Sequence, residues 1–343
     1  MFDCNNDVVA FHDEKVTLLQ PQRTAMRDRR NANRKRLKDR LKDAKLPLPK
    51  EFIKQGSYAM LTMVQDDDND YDIDDGVYFA EEDLTDKDGN PLSPSGARQR
   101  VCDALQDDRF KNQPEALKNC VRVYYDEGYH VDLPIYRIRK SDGQYELAAD
   151  NQWEISRAAD VEDWFYDTNT SKSPDEENGR QLRRVVRALK KFSRSRNDWK
   201  DLIASGFTVT KLTDECYVSA KDRDDVALRK TMESIYRRLL FDLEVWHPTT
   251  PCVRLTSGPQ DPRTLFLRDK LAKAVKDFAI LDDPNCTAKQ ALQVWDGVFG
   301  TDFFSAREKK QEENAGSVTV LTNLLSAQQN PRPVDKRGGG RFA

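Results

Sequence analysis

Apolar positions along the chain change their spacing about halfway. Between residues 21 and 44 they are sparse (Met26, Leu37, Leu41, Ala44) and strong helix formers fill the intervals; Pro21 suits a first helical turn and Pro47 follows the end. This predicts one long helix with a single packing stripe. Strand-like segments follow at residues 52–64, interrupted at Gln55-Gly56-Ser57, and at residues 71–79. Next come an Asp88-Gly89-Asn90-Pro91 turn, a short helix around residues 97–105, and strands through residues 121–125 and 129–138. From about Asp160 the period becomes helical. Leu182, Val185, Val186 and Leu189 share one face, and Leu228, Met232, Ile235, Tyr236, Leu239 and Leu240 share another; residues 262–281 and 288–298 read as further helices. After Leu325 the apolar residues and the period lapse together, so residues 328–343 read as a disordered tail. The chain is therefore expected to be α+β, with a mixed part over residues 1–155 and a helical part over 156–327. No internal repeat points to a solenoid or propeller.

Composition narrows the function only through its local charge. Charged residues are 34% of the 343 and the formal net charge is -3, so no global field selects a cationic or anionic partner. Locally the chain is polarised. From Arg23 to Lys45 there are eleven Lys/Arg against three Asp, and from Asp66 to Asp88 twelve Asp/Glu against one lysine. The six cysteines are scattered, without a CxxC pair and away from the three histidines, which indicates neither a zinc site nor a disulfide framework. With no basic-then-apolar leader and no run of 18 apolar residues, the expectation is a soluble cytoplasmic protein without membrane contact.

The acidic segment holds the candidate chemistry. Strand alternation over residues 71–79 puts Asp72, Asp74, Gly76 and Tyr78 on one face and Ile73, Val77 and Phe79 on the other. Neighbouring carboxylates repel unless protonated or bridged by cations, and hard oxygen ligands suit Mg²⁺. A solvated face on an ordinary edge strand is the alternative. Asp132, between Val131 and Leu133 on a later strand, could complete a triad, and Gly56-Ser57 could hold phosphate through a close backbone approach and a hydroxyl. An EF-hand starting at Asp66 would need Gly and Glu where Tyr71 and Val77 stand, and neither GxxxxGK[ST] nor GxGxxG occurs.

Gly-Ser, then Asp-x-Asp on a strand, then a lone Asp on a later strand is the order of the DNA-polymerase-β superfamily. The chain resembles its bacterial cGAS/DncV-like branch in Lys54-Gln55-Gly56-Ser57-Tyr58-Ala59-Met60, in residues 70–79, and in Asn119-Cys120-Val121-Arg122-Val123-Tyr124-Tyr125 with the Gly128 to Arg137 run. The likeness continues through residues 182–190, 205–212 and 295–304. It implies a polymerase-β-like nucleotidyltransferase core, a long N-terminal spine helix and a C-terminal helical domain of the OAS/PAP kind closing the active-site cleft. It also implies roles. Asp72 and Asp74 would bind two Mg²⁺ ions, for which Mn²⁺ could substitute; Asp132 would bind the catalytic metal and help to activate the attacking hydroxyl. Gln55, Gly56, Ser57, Lys190 and Ser205 would contact the nucleotide, Lys190 as the lysine of the family's Leu-Lys motif.

The activity so implied is joining of NTPs, mainly ATP, into a cyclic di- or trinucleotide messenger for antiviral signalling, with cyclic tri-adenylate as the specific expectation. Transfer to an RNA end or a protein, or a non-enzymatic scaffold, are the alternatives. The resemblance further suggests a HORMA-domain or ubiquitin-transfer-like regulatory partner engaging the tail. The basic run of residues 35–42 is read as a solvated helix face with nucleic-acid contact as the alternative, His130 as structural, and Tyr71 and Tyr78 as packing residues.

Overall fold

The computed structural model describes residues 2–66 and 71–308. The tail of residues 328–343, with its expected docking peptide, lies outside the described residues. In chain order the elements are α1 (Asn5–Phe11), α2 (Gln20–Asp43), β1 (Glu51–Gln55), α3 (Gly56–Ala59), β2 (Asp72–Ala80) and α4 (Pro94–Leu105). Six short strands follow: β3 (Glu115–Ala116), β4 (Val121–Tyr124), β5 (His130–Leu133), β6 (Ile135–Ile138), β7 (Tyr145–Ala149) and β8 (Gln152–Ile155). The helical part contains α5 (Ala158–Lys172), α6 (Gln181–Ser193), α7 (Gly206–Cys216), α8 (Asp224–Phe241), α9 (Pro262–Asp277) and α10 (Ala288–Phe299).

The strand order is β3-β4-β5-β2-β6-β7-β8, with β1 added on β2. β2 pairs antiparallel with β1 and parallel with both β5 and β6. Register is the same on either side of Pro134, so the expected single strand over 129–138 is one run divided by a residue without an N–H. The Pro134 carbonyl still accepts the Val77 N–H at 2.9 Å. The expected strand over 52–64 is likewise shorter. It stops at Gln55 because Gly56 turns left-handed (φ +61°) and opens α3.

Two cores explain this layout. Ile73, Val77 and Phe79 of β2 pack beneath the α2 stripe of Met26, Leu37 and Leu41 and beside Ala97, Val101 and Leu105 of α4. A second core joins α6, α7, α8, α9 and α10 around Phe192, Leu212, Met232, Phe278 and Trp295. Cys4, Val8, Phe11 and Val16 belong to that second core, so the first residues do not follow the expected partition at residue 155. α6 also ties the two parts together. Arg187 donates to the Leu61 carbonyl, Lys190 to that of Thr62 at 2.9 Å and Lys191 to that of Gln65 at 3.0 Å, while Leu182 and Val186 pack on Met60. Among the described residues no helix is long and apolar enough to cross a membrane.

Much of α2's charge is engaged within the protein. Arg29 pairs with Glu127, Lys35 with Asp39 and Arg36 with Asp107, while Arg30 and Lys38 lie over Tyr58 and Phe52. The pair with the most deeply buried acid joins Arg34 to Asp75, whose side chain is fully enclosed on the α2 side of β2; Arg34 Nε donates to Oδ2 at 2.7 Å and Nη2 to Oδ1. Arg34→Met should therefore destabilise the protein by about 3 kcal/mol, the low end for an orphaned buried charge because Arg34 is one-quarter exposed. Urea unfolding checks this, with Arg34→Met combined with Asp75→Leu expected to recover part of the loss. A single variant as stable as the parent would remove this pair as the anchor of β2.

Candidate active site

β2 and β5 build the site by register. Parallel pairing sets Asp74 beside Asp132 and Asp72 beside His130, and the antiparallel β4 sets Arg122 beside Asp132. Asp72 and Asp74 thus stand on the strand face opposite the apolar core, as alternation requires. The next acid, Asp75, falls on the other face and serves as the α2 anchor described above.

Gly56 is fixed here by two constraints. Its φ of +61° is left-handed, and a Cβ at this position would lie 2.0 Å from Asp74 Oδ2. Only glycine lets the backbone pass so close to the carboxylate while turning into α3. Asp72, Asp74, Gln55, Gly56, Ser57 and Lys190 line one cavity of about 370 Å³. Phe207 and His247, whose rings meet edge-on at 5.4 Å, stand on its helical side. Gln55 lines this cavity at the end of β1. Its side chain is buried, donating to the Tyr78 hydroxyl at 2.8 Å and accepting from the Tyr136 hydroxyl at 3.1 Å. That arrangement engages the Gln55 side chain within the protein, and it makes Tyr78, stacked on Tyr136 at 4.4 Å, a packing residue.

Lys190 and Ser205 lie on the helical wall. Lys190 is buried, its stem crossing so near Gly206 that a Cβ there would meet Cε at 2.9 Å. Burial, reinforced by Arg194, holds its ammonium down at about 7, with Asp74 acting in the opposite sense. Ser205 caps α7, its Oγ accepting the Thr208 N–H at 3.1 Å. It opens not on the carboxylates but on an adjoining cavity of about 290 Å³, which shares Lys190, Arg194 and Gly206 with the first and adds Arg196, Lys200 and Arg263.

The electrostatics at the strand face are dominated by crowded carboxylates. Burial first, then the charges of Asp132 and Asp72, push the Asp74 carboxyl up to about 7. Arg122 answers part of that charge: Nε and Nη2 donate to Asp132 at 2.8 and 2.7 Å, and Nη2 lies 3.5 Å from Asp72. His130 Nδ1 meets Asp72 Oδ1 at 3.2 Å. The imidazole is thereby satisfied by a candidate catalytic acid. Cys120, beside Asp132, has its thiol pushed up to about 12, chiefly by burial.

A divalent cation fits this donor set in chemistry. Three carboxylates stand on neighbouring strand positions, and burial together with the charges of the other two drives Asp74 toward its neutral form. Asp132, however, is taken by Arg122, and among the described residues no three acidic, histidine or cysteine side chains stand ready around one metal position. Sequence reasoning assigned no role to Arg122, though alternation between Val121 and Val123 puts it on the Asp132 face. No local signal marks Phe207, His247 or Arg194.

Residues 50–136 match the family model described as "Cyclic GMP-AMP synthase DncV-like, nucleotidyltransferase domain". Solved structures similar to the chain include the Vibrio cholerae di-nucleotide cyclase DncV with ATP, GTP and 5MTHFGLU2 (19% identity, 83% of this chain and 92% of that one, TM-score 0.67). DncV cyclic AMP-GMP synthase with nonhydrolyzable GTP shows 18% identity over 88% and 96% of the two chains, with TM-score 0.68. CdnC of E. coli MS115-1 with ATP shows 16% over 87% and 98%, with TM-score 0.65. At these identities the solved structures show the fold, and the family model is a match confined to residues 50–136.

Two outcomes follow from the site's geometry. A carboxyl whose folded pKa is raised makes the fold bind more protons than the unfolded chain, so stability falls as pH rises from about 4 to about 7 and then levels. Metal-free Asp74→Asn, which lacks this penalty, should accordingly melt higher than the parent at pH 8, with the difference shrinking toward pH 4. A constant difference across that range would contradict the crowding. Gly56→Ala should cost about 1–2 kcal/mol of stability through its positive φ and displace Asp74, lowering turnover far more than it lowers the melting point. Unimpaired turnover would show that the close approach has no catalytic consequence.

Proposed function

From the premise that residues 50–136 form a DncV-like nucleotidyltransferase domain, we propose that the protein condenses NTPs, mainly ATP, into a cyclic oligonucleotide messenger for antiviral signalling, releasing pyrophosphate. The supporting observation is that Gly56, Ser57, Asp72, Asp74 and Lys190 line one cavity, with Asp132 in register beside Asp74. A volume of about 370 Å³ is in the range of small-ligand sites. Similar enzymes have been solved with ATP and GTP and, for Vibrio cholerae DncV, with the linear intermediate 5′ pppA(3′,5′)pG. Cyclic tri-adenylate is the specific product put forward.

Magnesium held by Asp72, Asp74 and Asp132 would lower the pKa of the attacking 3′- or 2′-hydroxyl and stabilise the pyrophosphate leaving group. The chain's own residues supply position. Gly56 admits the triphosphate to the backbone, the Ser57 hydroxyl and N–H groups hold it, and Lys190, drawn to full charge by phosphate, closes on it from the helical side. Phe207 and His247 offer aromatic ring surface to a base. Asp132 supplies the carboxylate oxygen that orients the attacking hydroxyl.

Mass spectrometry of the purified chain with Mg²⁺ and all four NTPs tests this. A small cyclic product made by the parent, and absent from Asp72→Asn combined with Asp74→Asn at an unchanged fold, is the expected result. Labelled macromolecule without cyclic product would favour an RNA end or protein acceptor, and no turnover in the parent would sink the enzymatic reading. More than a few per cent of product in the double variant would overturn the metal-ligand assignment.

A further inference from the structure

Arg122 sets a positive charge against two of the three carboxylates. It sits directly across from Asp132 on β4, grips both carboxylate oxygens and leans to within 3.5 Å of Asp72. The contact is sheltered, with the Asp132 side chain 10% and that of Arg122 27% exposed. A two-pronged pair of this kind is stronger than a neutral hydrogen bond and fixes orientation as well as charge. Asp132 raises the guanidinium's already high pKa further, so the contact stays charged at every working pH. Asp74, buried between the charges of Asp132 and Asp72, bears the residual repulsion.

We propose that Arg122 is a positioning residue that acts as an internal counter-ion, holding Asp132 away from the metal position until nucleotide and divalent cation arrive together. Resting on the reading of Asp72, Asp74 and Asp132 as metal ligands, it adds an order to binding. A free cation must displace a bidentate pair and therefore binds weakly, whereas a cation delivered with a triphosphate brings anionic oxygens that can receive the released guanidinium. Arg122 thus guards against unproductive metal loading and is itself handed from carboxylate to substrate. The requirement for two prongs explains why lysine would not serve, because a single ammonium cannot hold both oxygens of Asp132 in one plane.

The test is Mn²⁺ binding by the full chain without nucleotide, read from the loss of the free-ion EPR signal. Arg122→Gln should bind Mn²⁺ about tenfold more tightly than the parent, the scale of one charge-assisted pair, and Arg122→Lys should fall between them. The advantage should disappear when Mn²⁺ is titrated with a nonhydrolysable ATP analogue present. Equal or weaker Mn²⁺ binding in Arg122→Gln overturns the proposal; if that variant does not fold, as judged by circular dichroism, Arg122→Lys alone decides by the same criterion. Asp72→Asn combined with Asp74→Asn separates the two readings. If it leaves the parent's Mn²⁺ binding intact, the metal assignment itself fails; if it abolishes binding while Arg122→Gln changes nothing, only the counter-ion role fails.

Discussion

The parallel pairing of β2 with β5 places the Asp74 carboxylate next to that of Asp132, with Asp72 two positions along the same face, and much of the neighbouring structure responds to that concentration of negative charge. Arg122 takes up Asp132, His130 meets Asp72, and Asp74 is left with a carboxyl pushed up to about 7. Isolated carboxylates in a half-closed cleft would be costly, and a fold tolerates them where they have work to do. The price in stability is met by the same strand's other face, where Ile73, Val77 and Phe79 enter the core and Asp75 locks onto Arg34.

The second constraint is the junction at Gln55 and Gly56. Gln55 is anchored from behind by two stacked tyrosines, and Gly56 turns left-handed within touching distance of Asp74. A strand end fixed so firmly sets the level at which the Gly56 backbone passes the Asp74 carboxylate. α6 then brings the helical wall to the same level, because Arg187, Lys190 and Lys191 bind the carbonyls of the segment just after α3. The cleft is held by the residues that shape it, so its two walls are coupled through Lys190, which touches both.

The sequence by itself determined the long α2 helix, the faces of β2 and the order Gly-Ser, Asp-x-Asp, Asp. Those features are local: a period of 3.6 or 2, a proline at an element's edge, or like charges too close to be incidental. Fold-family resemblance added Lys190 and Ser205, and the structure brings Lys190 to the carboxylate cavity while giving Ser205 a capping bond and the cavity next door. Tertiary structure alone decided what depends on strand neighbours and on chain crossings. That Pro134 would interrupt hydrogen bonding without shifting the register, that α1 would join the helical core, and that Gln55 would spend its side chain on Tyr78 and Tyr136 all turn on partners far along the chain. Arg122 shows the limit most clearly. Alternation fixes which face it occupies, but only the pairing of β4 with β5 puts it across from Asp132, because the energy of an ion pair depends on distance in space and leaves no period in the sequence.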